Sequence, residues 1–285
     1  MQFRRIGQLV AATTVSAVAL SGAQAVAQET KTTISVTNIT DIHGHLEDKI
    51  GDPAKAGDEI GVARLQTLIK QVNEGQEFNL TSSGDNVGGS AFVSAISDDK
   101  YTLEALNKMG MKVSAVGNHE FDKGTEDLTE RIQPNSTYPI LGANVVKDGE
   151  LLLKPSHVED VDGVKVGYVG TVTENTKYKV SAAKIPGVTF TDPVKATNEE
   201  ATRLKESGEA DVVVALFHED AQEYAEGFNK DVDVLFGGDT HQRTKGEIPR
   251  EGALPLQWAQ GHEYGKLLND VDITFDKSAK KVTDI

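Results

Sequence analysis

The chain contains no cysteine. That excludes disulfides, thiolate metal ligands, a cysteine nucleophile and a lipid-modified cysteine anchor, and stability must come from core burial rather than covalent staples. Long apolar runs are missing too. The mostly apolar stretch Leu9–Leu20 is interrupted by threonine and serine and is too short to span a bilayer stably, and no other segment is a transmembrane candidate. Basic residues are the third shortage, with 29 Lys and Arg against 44 Asp and Glu and a formal net charge of −15. An acidic surface argues against nucleic acid as a partner, because that requires a basic footprint. It also repels anionic substrates at long range. Any phosphate site must therefore be made positive locally, which bound divalent metal does.

Arg4 and Arg5, then Leu9–Leu20, then the small-residue site Ala25-Val26-Ala27 form a cleavable targeting segment. Residues 1–27 are thus expected to be a signal peptide and residues 28–285 one catalytic domain. The expected destination is the periplasm, the cell wall or the medium. No repeat, low-complexity tract or Pro-rich linker divides the remainder, and its length supports one large core. The oligomeric state stays open.

What is present alternates between strand-like and helix-like segments. Apolar β-like runs are Ile34–Ile39, Phe78–Leu80, Val113–Val116, Tyr138–Leu141, Val212–Phe217 and Val232–Phe236. Helical stretches are expected over 61–73, 101–109, 124–132 (ended by Pro134), 192–206 and 220–228. Asp192 reads as an N-cap with Pro193 at the first helical position. Asp162-Gly163 between Val158–Val161 and Val164–Val172 is the strongest hairpin signal. From Thr244 to Phe275 the spacing predicts three short strands. This alternation implies α/β architecture with mixed sheets covered by helices.

Five polar clusters stand directly behind β-like runs: Asp41-Ile42-His43, Gly84-Asp85-Asn86, Gly117-Asn118-His119-Glu120, Phe217-His218 and Gly238-Asp239-Thr240-His241. Aspartate, histidine and asparagine converging from several strand ends suit a hard or borderline metal pair, and that sheet edge is where active sites form. Asp41 and His43, two apart, would project to one side of an extended segment. Asp85 is either a ligand or a turn residue. His119 is placed to act on phosphate or a leaving group, with Asp122 fixing its tautomer. Asn86 either contacts substrate or caps its loop, and His45 either orients a ligand or is a loop histidine. His157 reads as structural, and His262 is a further candidate for the cleft.

In this order the clusters resemble the calcineurin-like metallophosphoesterases, and more closely the catalytic domain of secreted 5'-nucleotidases and bifunctional nucleotidase/phosphodiesterases. The resemblance runs from Thr32 to Phe275 and includes Glu263-Tyr264-Gly265-Lys266. It implies a four-layer α/β/β/α sandwich with two mixed sheets. It further implies two divalent ions, one among Asp41, His43, Asp85 and His241. Asp85 would bridge to the other, held by Asn118, His218 and Asp239. His119 and Asp122 would form the catalytic dyad, with a metal-bound hydroxide attacking phosphorus in line. The implied substrate is a small phosphate ester, in particular a nucleotide.

The family usually has histidine at position 239. Aspartate is shorter, anionic and harder, which predicts tolerance of manganese, iron or magnesium rather than strict zinc. Glu219 stands where a small residue is common. The family's C-terminal substrate-binding domain is not in this sequence. The rival expectation is a non-catalytic or weakly active binding protein on the same fold, its metal site degraded at Asp239.

Overall fold

A computed structural model describes residues 30–51, 53 and 55–285; the expected signal peptide lies outside them. In chain order the main elements are β1 (Lys31–Ile39), α1 (Gly61–Val72), β2 (Phe78–Ser82), α2 (Lys100–Met109), β3 (Met111–Ala115), β4 (Ile140–Leu141), β5 (Ser156–Val161) and β6 (Val164–Val172). There follow α3 (Pro193–Ser207), β7 (Val212–His218), β8 (Val234–Gly237), β9 (Arg243–Ile248), β10 (Leu256–Gly261), β11 (Asn269–Asp276) and β12 (Lys281–Asp284).

Two six-stranded sheets result, ordered β12-β11-β1-β2-β3-β4 and β9-β10-β8-β7-β6-β5. Each has a parallel block, β1 to β4 in one and β6, β7, β8 and β10 in the other. Antiparallel strands flank each block. Helices α1, α2 and α3 supply the long crossovers that parallel neighbours need.

The side-chain period of a strand explains the layering. On β7, Val212, Val214 and Leu216 point to the other sheet and pack with Ile34, Val36, Val113, Ile273 and Phe275. The alternate residues Val213, Ala215 and Phe217 face Ala201 and Leu204 of α3. On the far side Leu65 and Ile69 of α1 and Leu103 and Leu106 of α2 cover Leu80 and Met111. Three cores between four layers make the expected α/β/β/α sandwich. Between the sheets, Asn79 Nδ2 donates to the buried Tyr168 hydroxyl at 2.9 Å.

Local signals explain most boundaries. Asp192 Oδ1 caps α3 by accepting from the Val194 and Lys195 amides at 2.9 and 3.0 Å. Helices α2 and α3 end at Gly110 and Gly208, both left-handed (φ 81° and 71°) and with open space around the Cα. Asp162 and Gly163 (φ 52° and 75°) make the expected β5–β6 hairpin turn.

Two expectations are corrected. The helix after Gly124 does not stop at Ile132: a π turn over Leu128–Ile132 widens it, and Pro134 sits inside the last turn, Gln133–Asn135. The helix expected over 220–228 is one α turn, Ala221–Tyr224, followed by a 3₁₀ turn, Ala225–Gly227. The stretch from Thr244 to Phe275 holds the expected three strands, β9, β10 and β11, and β12 lies beyond it. A three-stranded sheet of Val145–Lys147, Glu150–Leu151 and Val188–Phe190 carries too few residues per strand to show a period. Among the described residues no helix is long and apolar enough to cross a membrane.

Leu216 is fully buried between the sheets. Leu216→Ala is expected to destabilise the fold by about 2–5 kcal/mol, from lost burial plus the cavity left behind. Urea unfolding, read as a lowered midpoint at unchanged slope, checks this.

Candidate metal centre

The carboxyl ends of β1, β2, β3, β7 and β8 meet at one edge of the sandwich, and each expected cluster lies at or just beyond one of them. Their backbones interlock. The Asp41 amide donates to the Gly84 carbonyl at 3.0 Å, the His43 amide to the Asp85 carbonyl at 3.0 Å, and the Gly238 amide to the Glu219 carbonyl at 3.1 Å. Asp41, His43, Asp85, Asp239 and His241 all lie in the left-handed region, at φ 51°, 45°, 51°, 66° and 55°. A non-glycine residue held there costs on the order of 1–3 kcal/mol, and such strain clusters at functional sites. The extended-strand reading of Asp41 and His43 is therefore corrected: β1 stops at Ile39, and tight left-handed turns aim these side chains.

Three imidazoles converge on the carboxylates, each tethered through Nδ1. His43 Nδ1 donates to the Gly88 carbonyl at 2.7 Å, and its Nε2 lies 3.6 Å from Asp85 Oδ2 and 4.0 Å from Asp41 Oδ1. His218 Nδ1 donates to the Ser83 carbonyl at 2.8 Å, and its Nε2 lies 3.1 Å from Asp85 Oδ2 and 3.7 Å from Asp239 Oδ1. His241 Nδ1 is 2.7 Å from Glu263 Oε2, with Nε2 3.4 Å from Asp41 Oδ1. A partner on one ring nitrogen that leaves the other aimed at a shared point is the arrangement of metal-ligating histidines. The ligand atoms of Asp41, His43 and His241 lie within 4.8 Å of one another, as do those of Asp41, Asp85 and His218, and of His43, Asp85 and His119.

The donor set fits divalent cations. Asp41, Asp85 and His218 are buried, and buried carboxylates require compensation by positive charge. The Asn118 amide meets Asp239 Oδ1 at 2.8 Å; its nitrogen there donates to the carboxylate, whereas its oxygen there would need a cation between the two acceptors. The turn also has no room to spare, since a Cβ on Gly117 would fall 2.1 Å from Asp85 Oδ1. The centre thus places Asp41, His43, Asp85, Asn118, His218, Asp239 and His241 together at that edge.

The charges act strongly on one another. Burial pushes the Asp85 carboxyl up, but the His218, His43 and His119 imidazoles outweigh it and hold Asp85 well below the usual carboxylate range. Burial likewise opposes the imidazolium of His218, and Asp85, Asp41 and Asp239 together raise it well above its ordinary value. The hydrogen bond toward Asp41 raises His241 against partial burial. His119 Nδ1 lies 2.9 Å from Asp122 Oδ2, and that hydrogen bond, against burial and with the Asp85 charge, pushes His119 up to about 9.

Two residues with open roles are now placed. Asn86 is buried, its amide nitrogen donating to Ser114 Oγ at 2.9 Å and its oxygen accepting from Ser82 Oγ at 2.9 Å. Both ends of the amide anchor the loop, as the capping alternative expects. His45 bonds Glu59 Oε2 at 2.8 Å and stacks on Tyr264 at 3.7 Å between ring centroids. It reaches His43 and His241 only through that tyrosine, which lies edge-on to both. His157 pairs with Glu159 on β5, away from the centre, and His262 stands 3.6 Å from Glu263.

Three positioning residues escaped assignment in the sequence. Glu120 is buried and accepts from the backbone amides of Asp85, Asn86, Val87 and Gly117 at 3.1, 2.8, 3.4 and 2.6 Å. It clamps the loop after β2 to the loop after β3, while burial and the Asp85 charge push its carboxyl up to about 7. Glu263 orients His241, and the Tyr264 amide donates to the Asp41 carbonyl at 2.8 Å. The block around Glu263 is visible in the sequence as a motif, but its partners are not.

The geometry agrees with what the chain is similar to. The calcineurin-like phosphoesterase family matches residues 34–243. Endonuclease YhcR of Bacillus subtilis is 29% identical over 87% of this chain and 22% of its own length. A 5'-nucleotidase of Diplobatis ommata is 28% identical over 86% of this chain and 46% of its own. Among solved structures, a 5'-nucleotidase precursor of Thermus thermophilus superposes with a TM-score of 0.76 over 89% of this chain and 53% of that one, at 21% identity. The chain spans less than half the length of these two curated relatives. With the family matched over most of its length, the chain belongs to the calcineurin-like phosphoesterases.

Proposed function

We propose that this chain hydrolyses small phosphate esters, nucleoside monophosphates foremost, with two divalent ions as cofactors. The observation that carries the reading is the convergence of three Nδ1-tethered imidazoles on Asp41, Asp85 and Asp239 at the strand ends. Asp41, His43, Asp85 and His241 would hold one ion, and Asp85, Asn118, His218 and Asp239 the other. When bound, such ions lower the pKa of a water and neutralise phosphoryl oxygens, which a chain of net charge −15 must do locally.

The remaining work belongs to side chains. His119, which Asp122 holds charged at neutral pH in the metal-free protein and which is about a third exposed at the rim, donates to a phosphoryl oxygen or protonates the leaving oxygen. Asp122 positions and charges that imidazole. Glu120 keeps the His119 and Asp85 loops in register. Asp239, a harder ligand than histidine, tilts the centre from zinc toward manganese, iron or magnesium. Export follows from the pattern of residues 4–27, and N-terminal sequencing of the secreted protein after Ala27 tests it.

Cleavage of phosphodiesters is a second reading, favoured by the relative named an endonuclease. The acidic surface opposes nucleic acid as the substrate. Comparing p-nitrophenyl phosphate with its bis-ester separates the two readings.

Three outcomes are expected. Chelated protein releases no phosphate from AMP, and manganese restores release better than zinc; silence of a folded, metal-loaded chain toward both mono- and diesters would overturn the reading. His119→Ala lowers kcat by about 10²–10⁴-fold at unchanged metal content. The third outcome concerns pH: His119 acts as its protonated form, so in the metal-free protein its ring protons titrate at about 9. Asp122→Asn removes the largest cause of that rise and moves the midpoint down, as nuclear magnetic resonance would show. Because the folded value lies above the ordinary 6.5, the pair's stabilisation is complete below about 6.5 and is lost as pH rises through about 9.

A further inference from the structure

Lys179 takes no part in the chemistry above, yet its ammonium contacts Asp239 Oδ1. Among the described residues it is the only Lys or Arg paired with any of the three converging carboxylates. It is delivered by a fixed element. The helical turn Thr176–Lys179 follows β6, and the Thr173 amide before it donates to the His218 carbonyl at 3.0 Å. The Thr176 hydroxyl, fully buried, donates to the Thr173 carbonyl at 2.7 Å, and Val180 after the turn is buried in the core. Asp239 is held as firmly, its amide donating to Asp41 Oδ1 at 3.2 Å and its side chain nearly buried.

The same oxygen, Asp239 Oδ1, faces the Asn118 amide at 2.8 Å and His218 Nε2 at 3.7 Å. One carboxylate oxygen thus points at the atoms that would surround an ion and at an ammonium from the rim. Asp41, Asp85, His43 and His241 have no such competitor among the described residues. We propose that Lys179 is a built-in cation that competes with a divalent ion for Asp239, so that the two positions fill unequally. The position at Asp41, His43, Asp85 and His241 fills first. The position at Asp85, Asn118, His218 and Asp239 fills only as the ammonium swings out, which its side chain, 37% exposed, has room to do. Like charges a few ångströms apart in a partly buried site repel strongly enough to separate the two affinities by about tenfold or more.

This rests on the reading of the centre as a two-ion site, and a binding experiment separates the two. The purified chain, stripped with chelator, is titrated with Mn²⁺ while free ion is followed by electron paramagnetic resonance. Wild type is expected to bind one ion tightly and a second about tenfold or more weakly. Lys179→Met, which keeps length and removes charge, tightens the second step by about tenfold and leaves the first unchanged. Lys179→Arg keeps it weak. Circular dichroism and the thermal midpoint confirm that each variant is folded. Two equal tight steps in wild type, or a second step unmoved by Lys179→Met, would overturn the competition while leaving the two-ion centre standing. A folded wild type that binds no Mn²⁺ would overturn both.

Discussion

Three carboxylates held together away from water cannot stand without positive charge beside them, and the rest of this molecule answers that demand. Asp41, Asp85 and Asp239 belong to a chain already carrying a net charge of −15, so no general surplus of cations can relieve them. Relief is local and graded. Imidazoles stand 3.1–4.0 Å away, an ammonium leans in from the rim, and the site is shaped for ions. Each donor is fixed by a hydrogen bond on its far side, to the Gly88 or Ser83 carbonyl or the Glu263 carboxylate. An untethered imidazole would turn away and leave the carboxylates uncompensated.

The sandwich is what brings those donors to one place. His218 closes β7 in one sheet and meets Asp85, which follows β2 in the other. The inter-sheet core of valine, isoleucine and phenylalanine is therefore part of the site's geometry. Interiors packed at this density tolerate little relative movement, so the distance between the two loops is set many residues from the chemistry. Glu120 completes the frame by binding four amides drawn from two loops.

Much of this is legible in the sequence. The α/β alternation, the Asp192 cap and the Asp162-Gly163 turn all carry local signals, and the polar clusters mark the strand ends that matter. Backbone handedness is not legible. Asp41 and His43 sit two apart, as on an extended strand, yet both occupy left-handed turns, a conformation uncommon for any residue but glycine. The role of Glu120 is hidden as well, because its main partners, the amides of residues 85–87, lie more than 30 positions away. The contacts of Asn86 are hidden too: its amide bonds Ser82 and Ser114, which lie 4 and 28 positions away. The π turn before Pro134 has no sequence signature that distinguishes it from a helix end.

Parallel strands also sort the loops of the molecule into two classes. The candidate metal centre stands at the carboxyl edge, and the helix-to-strand turns at Gly110 and Gly208 lie at the other, with open space around both Cα atoms. An inserted peptide, affinity tag or fused domain grafted into those turns would project from the far side of the protein. The same edge is the natural point of attachment to a solid support, leaving the opposite mouth facing the solution.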